Sequence, residues 1–415
     1  MRSPIILGAL VALLTPAGAL AQRADLPPSE KVAEALDNHP AVAAARARVD
    51  AARADRDMLA KGTHEIAVTG SYVRRSVDRE GGYDEFDATI ARPFRLPGKA
   101  ALDREAGALG IEVAENRMED ARHQTALLLS GYWNDWLVAG ALYRNDLDTV
   151  RWLEKELSAL RRRVALRDAA AIDVDQAMAA LAQAQAQAAN SLAAREQARV
   201  ALAANFPEIP LPTEPPETSV ATVPPQRLAA MRDLVIERSH EIRAAEREAQ
   251  RLAVVARRVR ADRIADPSFG VRLFSERSGM EQGAGVVMSM PLGGGHRRAA
   301  ADRAFAEGNA AQLEHMSVQR TVRAIADADL SSATLRLEAW KNTDLSAQSA
   351  ANALVRTERG YQLGQIDLGD LLYARRQAGE ARRSEIMARS EAARALLKLE
   401  IDSHSLWVVH DEDGG

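Results

Sequence analysis

The residues with the clearest capacity for chemistry are eight histidines, a pair of nearby methionines and several carboxylates. No two histidines have the His-x-x-x-His spacing that places two imidazoles on one helix face for zinc. Met288 and Met290 could suggest a copper site, but their spacing favours a shared strand face. Neither a Ser-His-Asp arrangement nor a paired acid and base is found. We therefore expect no enzyme and no cofactor.

The composition argues for packed helices outside the cytoplasm. Hydrophobic residues make up 47% of the chain but aromatic residues only 4%, and there is no cysteine for disulfides, thiolate metal sites or a lipid-modified N-terminal cysteine. The formal net charge is −4, so no basic field predicts a nucleic-acid partner.

Residues 1–21 are typical of a signal peptide, with a short apolar core and a small-x-small site before Gln22; a buried N-terminal helix is the alternative. No later apolar run is long enough for a transmembrane helix.

One order of elements occurs twice, which indicates an internal duplication. The first copy, 22–205, has a helix beginning at a Ser29 N-cap and broken at His39-Pro40, two alternating segments at 64–73 and 83–93, and a long helical hairpin at 98–205. A connector at 206–230 is rich in proline. The second copy, 231–401, has a helix, segments at 268–275 and 283–291, and a hairpin at 296–401. Residues 402–415 form an acidic tail.

The alternating segments have the period of β-strands, and one face of each is apolar. The residues on this face are Ile66, Val68, Tyr72, Phe86, Ile90, Phe269, Val271, Leu273, Val286, Met288 and Met290. Two interpretations stay open: hairpins on a soluble core, or strands of a membrane β-barrel whose apolar face contacts lipid. Four strands cannot close a barrel, and lipid does not tolerate an open sheet edge. The membrane interpretation therefore requires several copies to share one barrel.

Glycine-containing corners lead from the second strand of each copy into the long helices. They are Leu96-Pro97-Gly98 and Gly293-Gly294-Gly295. A phosphate-binding loop would continue with Lys-Ser or Lys-Thr, whereas His296-Arg297 follows here. The corners therefore predict turns, and each following helix would reach roughly 100 Å at 1.5 Å per residue.

The ends of the two helical hairpins carry the most specific sequences, Ala169-Ala170-Ala171-Ile172-Asp173-Val174-Asp175-Gln176-Ala177 and Tyr361-Gln362-Leu363-Gly364-Gln365-Ile366-Asp367-Leu368-Gly369-Asp370-Leu371-Leu372. These resemble the periplasmic tips of the TolC family of outer-membrane efflux proteins, and the resemblance extends over the mature chain. The corners 92–99 and 291–295 are similar to those of the CzcC-like branch, which serves heavy-metal cation pumps.

This resemblance implies an α+β membrane protein that assembles as a homotrimer. Each subunit would contribute four strands to a shared twelve-stranded barrel in outer-membrane lipid, above a periplasmic α-helical barrel. The implied partners are a periplasmic adaptor and an inner-membrane pump of the resistance–nodulation–division class. The chain would then be the exit duct for heavy-metal cations; the same duct for drugs or a secreted protein, and a soluble periplasmic coiled-coil scaffold, are the alternatives.

The resemblance also assigns residues at the tips. Asp173, Tyr361 and Asp370 match positions that hold the helices shut or ring the narrowest point, although helix capping is an alternative for Asp173 and Asp367. Ile366 stands where an arginine link is common and Tyr373 where a second carboxylate ring would be, so Arg359, Arg375 or Arg376 could supply the missing link. Contact with the adaptor is expected at Asp168, Ala171, Ile172, Gly360, Leu363, Gly364, Ile366 and Asp367.

Overall fold

The computed structural model describes residues 23–408, so the predicted signal peptide and residues 409–415 of the acidic tail lie outside the described part. Within it the chain forms twelve regular elements and a single 3-10 turn at Arg277–Gly279. The first copy contains α1 (Ser29–Asn38), α2 (Pro40–Lys61), β1 (Ala67–Val77), β2 (Gly81–Pro93), α3 (Lys99–Ala165) and α4 (Ala171–Asn205). The second contains α5 (Pro225–Glu237), α6 (His240–Ala261), β3 (Ser268–Glu276), β4 (Glu281–Ser289), α7 (Gly295–Gln362) and α8 (Leu368–Asp402).

The order of elements is the same in both copies, but several boundaries differ from those predicted. Helix α5 begins at Pro225, so the connector ends before residue 230, because proline is well suited to the first turn of a helix. Ser29 is the first helical residue and not the N-cap; Pro28 holds that position, without a side-chain cap. Strand β1 runs from Ala67 to Val77, later than the predicted 64–73.

The predicted break in the first helical pair is present, and His39 has a structural role there. Its Nδ1 atom accepts a hydrogen bond of 3.2 Å from the Ala41 amide, which caps α2 in front of Pro40. In the second copy Ser239 caps α6, since its hydroxyl accepts a hydrogen bond of 3.2 Å from the Ile242 amide. The cap thus shifts by one residue between the copies, and His240 lies inside its helix.

The four strands form one antiparallel sheet in the order β1-β2-β3-β4. The two hairpins meet through β2 and β3, where Ile90 lies opposite Val271 and Ala88 opposite Leu273. The outer edges of β1 and β4 pair with no strand of the described chain. A single subunit therefore presents a sheet with two open edges.

The strand register places nine of the eleven predicted apolar residues on one face, because directly opposed residues of an antiparallel pair share a face. Ile66 and Met290 lie just outside the strands, before β1 and after β4. Val68 lies opposite Ile90, Tyr72 opposite Phe86, and Phe269 opposite Met288. The eleven side chains are all exposed, from 39% for Met290 to 83% for Val286. The other face is more polar and includes the ion pairs Arg75–Glu85 and Arg272–Asp87.

The helices pack into a slender bundle whose core is divided into three apolar clusters. One surrounds Trp136, Phe206 and Ile401, a second surrounds Leu228, Leu396 and Leu399, and the third lies at the tips around Leu160 and Leu371. Helices α3 and α7 have 67 and 68 residues, about 100 Å each at 1.5 Å per residue. Across residues 23–408, no helix combines the length and apolarity needed to cross a membrane.

Candidate functional site

Both helical hairpins turn at their tips in the same way. The second residue after each first helix adopts a left-handed conformation, with φ of 60° at Arg167 and 70° at Gly364. The Asp168 amide donates to the Arg163 carbonyl at 2.8 Å, and the Gln365 amide to the Gly360 carbonyl at 2.9 Å. These bonds satisfy the last carbonyls of the helices and reverse the chain. Glycine relieves the strain of this conformation in the second copy only.

Two of the tip carboxylates cap the helices that follow. Asp367 accepts a hydrogen bond of 2.8 Å from the Asp370 amide, which confirms its predicted capping role. Helix α4 begins at Ala171, so Asp173 lies within its first turn, and its carboxylate accepts from the Ala170 amide at 3.2 Å. This capping bond uses one of the two carboxylate oxygens of Asp173. A gating role for Asp173 stays a prediction.

Tyr361 joins the two hairpins. Its hydroxyl donates to Glu156 Oε1 at 3.1 Å and accepts from Arg163 Nη1 at 3.0 Å, so the last turn of α7 is tied to α3. Arg163 also binds the Asp168 carboxylate through Nε at 3.0 Å. Its guanidinium lies 5.7 Å from the centre of the Tyr361 ring. We call these four residues, Glu156, Arg163, Asp168 and Tyr361, the tip network.

The electrostatics of the tip network keep the hydroxyl protonated. Burial raises the pKa of Tyr361 and the charge of Glu156 adds to this, while Arg163 acts in the opposite direction. The hydrogen bond to Asp168 raises the pKa of Arg163, so its guanidinium stays protonated. A neutral hydroxyl between a carboxylate and a guanidinium can donate to one and accept from the other. The arrangement is suited to holding two helices together.

The arginine that binds Tyr361 at the tip is Arg163, which sequence reasoning missed. Ile366 cannot supply a charge; its side chain packs against Gly360, where an added Cβ would lie 2.5 Å from Ile366 Cδ1. Arg375 instead stacks on Trp152 of α3 at 5.1 Å, and Arg376 on Tyr373 at 5.7 Å. A signal in the sequence is that Arg163 lies five residues before Asp168, the carboxylate that it binds.

The remaining tip residues lie largely at the surface. Asp370 is exposed on the first turn of α8, and Tyr373, 55% exposed, follows one turn later. Among the predicted adaptor contacts, Ile172 and Leu363 expose 60% and 59%. Asp168, Ala171, Gly364 and Asp367 are also exposed, whereas Gly360 and Ile366 are half-buried. Leu166, 79% exposed, is a further apolar tip residue absent from the prediction.

A second polar cluster lies far from the tips, where α3, α7 and α8 meet. Lys398 binds both oxygens of Asp329, at 2.8 and 2.7 Å, and Asp402 at 2.5 Å. His123 contacts the other Asp402 oxygen at 2.8 Å. Burial raises the pKa of Asp329 to about 6, and the Asp402 carboxyl adds to the rise. Burial opposes ionisation of Asp402 too, but hydrogen bonds with His123 and Asp329 and the charge of Lys398 outweigh it, so its pKa falls to about 2.

This cluster predicts a stability that depends on pH. Because the pKa of Asp329 is raised, the folded protein binds more protons than the unfolded chain between about pH 4 and 6, and stability falls as the pH rises through that range. Replacing Asp329 with asparagine should remove this loss. The difference in Tm between the variant and the natural protein should therefore shift in favour of the variant as the pH is raised from 5 to 7. Asp327→Asn, at an exposed carboxylate that pairs with Arg232, is the control and should leave the pH dependence unchanged.

Three histidines that are distant in sequence meet beside this cluster. The ring of His404 lies 5.3 Å from that of His123 and 5.0 Å from that of His240. These side chains, with Asp120, Glu241 and Asp402, line a cavity of about 280 Å³. Nowhere in residues 23–408 do three or more histidine, aspartate or glutamate side chains have a metal-binding arrangement. The histidines are thus brought together by the fold without the geometry of a metal centre.

The long helical hairpins, the duplicated topology and the single four-stranded sheet define the fold of TolC-family outer-membrane channels. Solved structures agree with it over nearly the whole chain. The outer-membrane channel OprN matches with a TM-score of 0.76 and 19% identity over 92% of this chain and 90% of that one. The outer membrane protein VceC from Vibrio cholerae matches with a TM-score of 0.72 and 18% identity over 90% of this chain and 95% of that one. CusC matches with a TM-score of 0.73 and 16% identity over 90% of this chain and 91% of that one.

The likeness lies in the structure and not in closely similar sequence. No protein-family model matches this chain, and no curated protein matches it either. The likeness to these solved structures therefore establishes the fold alone.

Proposed function

We propose that this chain is the outer-membrane exit duct of a tripartite efflux system, and that it works as a passive channel without catalysis. The observation that carries the proposal is the sheet. It has two open edges and one face of exposed apolar residues, and lipid tolerates such a face but not such edges. Three copies would supply twelve strands and pair every edge.

The helices fit the same assembly. At about 100 Å, α3 and α7 are long enough to line a tube beneath the barrel. Their tips, with the exposed Leu166, Ile172 and Leu363, would meet a periplasmic adaptor, and the energy would come from an inner-membrane pump. The tip network would hold the tube closed within each subunit.

A cell fractionation tests the location. We expect the protein to remain with the outer membrane until detergent is added, and to migrate as a trimer on a blue-native gel. Release with the soluble periplasmic contents, as a monomer, would instead support the coiled-coil scaffold.

For the transported substrate we propose metal cations, in line with the resemblance of the corners to the CzcC-like branch. The exposed Asp370 supports this, because three copies around one axis would concentrate negative potential and favour cations. Drugs or a secreted protein are the other candidates. A deletion strain that becomes sensitive to divalent metals but not to dyes or antibiotics would support the metal assignment, and the reverse pattern would reject it.

Asp370 offers a direct test of the pore. Asp370→Ala should reduce the preference for cations, which a shift of the reversal potential under a salt gradient in planar bilayers would show. The matched control is Asp175→Ala, which removes an exposed carboxylate from the other tip, on α4. An unchanged reversal potential in Asp370→Ala would place Asp370 outside the narrowest part of the pore.

A further inference from the structure

Arg92 is a cation on the apolar face of the sheet. It lies directly opposite Phe269, and its neighbours on that face along the strand direction are Ile90 and Phe94. Phe94 packs edge-on against Phe269, with ring centres 5.8 Å apart. The Arg92 side chain is exposed. A charged group therefore stands among side chains that we assign to lipid.

Two of the other three arginines in the strands form an ion pair and the third has a carboxylate directly opposite it, whereas Arg92 has neither. Arg75 pairs with Glu85 and Arg272 with Asp87, while Arg74 lies opposite Asp84 in the register. Within the described chain, Arg92 forms no ion pair. Its Nε donates to the His64 carbonyl at 3.0 Å, which fixes the guanidinium at one side. The four N–H groups on its two terminal nitrogens are left for another acceptor.

The position of Arg92 along the strand matches the boundary of a membrane. It is the penultimate residue of β2, immediately before the corner that leads into α3. An arginine in the middle of a hydrocarbon layer is costly, but the cost becomes small near the interface. There its stem can lie along apolar surface while the guanidinium reaches the polar headgroups.

The helix ends next to the sheet add positive charge at the same level. Lys61 ends α2, Arg263 follows α6 and Arg298 lies in the first turn of α7, and all three are exposed. None of them forms an ion pair with a described residue. Of the nearby carboxylates, Asp262 binds Lys99 and Arg258, and Asp266 binds Lys99 and His64, while the exposed Glu65 and Asp302 form no ion pair with a described residue. With Arg92, four unpaired cations stand against these two unpaired carboxylates, so the junction carries an excess of positive charge.

We propose that Arg92 binds the phosphate of an anionic phospholipid in the periplasmic leaflet, supported by the charges of Lys61, Arg263 and Arg298. Guanidinium groups bind phosphate oxygens through paired hydrogen bonds, and the apolar residues around Arg92 would contact the acyl chains. The surrounding positive charge favours a lipid with net negative charge over a zwitterionic one. This site rests on the proposed function, since it requires the sheet to lie in a membrane.

The test uses the full-length protein in detergent, titrated with phosphatidylglycerol or phosphatidylcholine and followed by native mass spectrometry. The natural protein should bind phosphatidylglycerol more tightly. Arg92→Gln should weaken phosphatidylglycerol binding about fivefold, the factor that corresponds to about 1 kcal/mol per charge, and leave phosphatidylcholine binding unchanged. Arg92→Lys should retain most of the preference. Arg74→Gln removes a cation from the far end of the same face and should retain all of it.

Two results would overturn the site: equal binding of both lipids by the natural protein, or an unchanged preference in Arg92→Gln. Insertion into vesicles of pure phosphatidylcholine, measured by flotation, separates this failure from that of the proposed function. Natural protein and Arg92→Gln should both insert. A protein that inserts without a preference for phosphatidylglycerol contradicts the lipid site alone, whereas one that inserts into no vesicle contradicts the membrane location and the site with it.

Discussion

Val68→Lys should prevent the formation of a stable trimer in the outer membrane. Val68 is 72% exposed on the apolar face and lies opposite Ile90, between the ends of the apolar band. A lysine on the lipid face of a barrel costs about 2–4 kcal/mol at the membrane midplane and about 0–1 kcal/mol near the interface. Because Val68 lies one residue pair inside the level of Arg92, we expect about 1–2 kcal/mol for each copy and about 3–6 kcal/mol for three, which approaches the whole stability of many proteins. The loss should be visible as a missing trimer band on a semi-native gel and a depleted outer-membrane fraction.

Thr69→Lys is the matched control, because it introduces the same residue at the next position of the same strand. Thr69 lies on the opposite face, across from Thr89, where we place the water-filled interior. This variant should assemble normally. If both variants assembled equally well, or both failed, the assignment of the two faces to lipid and water would be wrong.

Tyr361→Phe should produce a channel that is open far more often than the natural one. The substitution keeps the ring but removes the hydroxyl that binds Glu156 and Arg163. Each hydrogen bond contributes about 0.5–1.5 kcal/mol, so two bonds in each of three subunits amount to roughly 3–9 kcal/mol if the subunits open together. The equilibrium would then shift about 10²- to 10⁶-fold toward the open state. Planar-bilayer recordings should show higher mean conductance, and cells should become sensitive to large antibiotics.

Tyr373→Phe serves as the control for this experiment. The Tyr373 hydroxyl is contacted by Gln377 of the same helix, at 3.2 Å, so its loss should leave the closed state unaffected. Glu156→Gln should open the channel less than Tyr361→Phe, because the amide oxygen can still accept from the hydroxyl while the charge is lost. Natural conductance in both Tyr361→Phe and Glu156→Gln would show that the tip network does not hold the channel closed.

The sequence determined what depends on residues close to one another in the chain. Alternation over about ten residues predicted the strands and their apolar faces, and the register confirms a shared face for all the predicted residues except Ile66 and Met290, which lie outside the strands. The repeated order of elements predicted the duplication, and the short polar side chain of Asp367 before a return helix predicted its cap. These features follow from local backbone preferences and side-chain period, which the sequence states directly.

The contacts between distant segments follow from the tertiary structure and from no local pattern. It joined the two hairpins through β2 and β3, assigned Arg163 and Glu156 to Tyr361 of the other hairpin, and gathered His123, His240 and His404. Each of these contacts depends on the rotation of the long helices about their axes and on their alignment along those axes. The packing of many small apolar side chains sets the rotation and the alignment. No short stretch of sequence contains that information, which is why the arginine of the tip was sought on α7 and α8 and lies on α3.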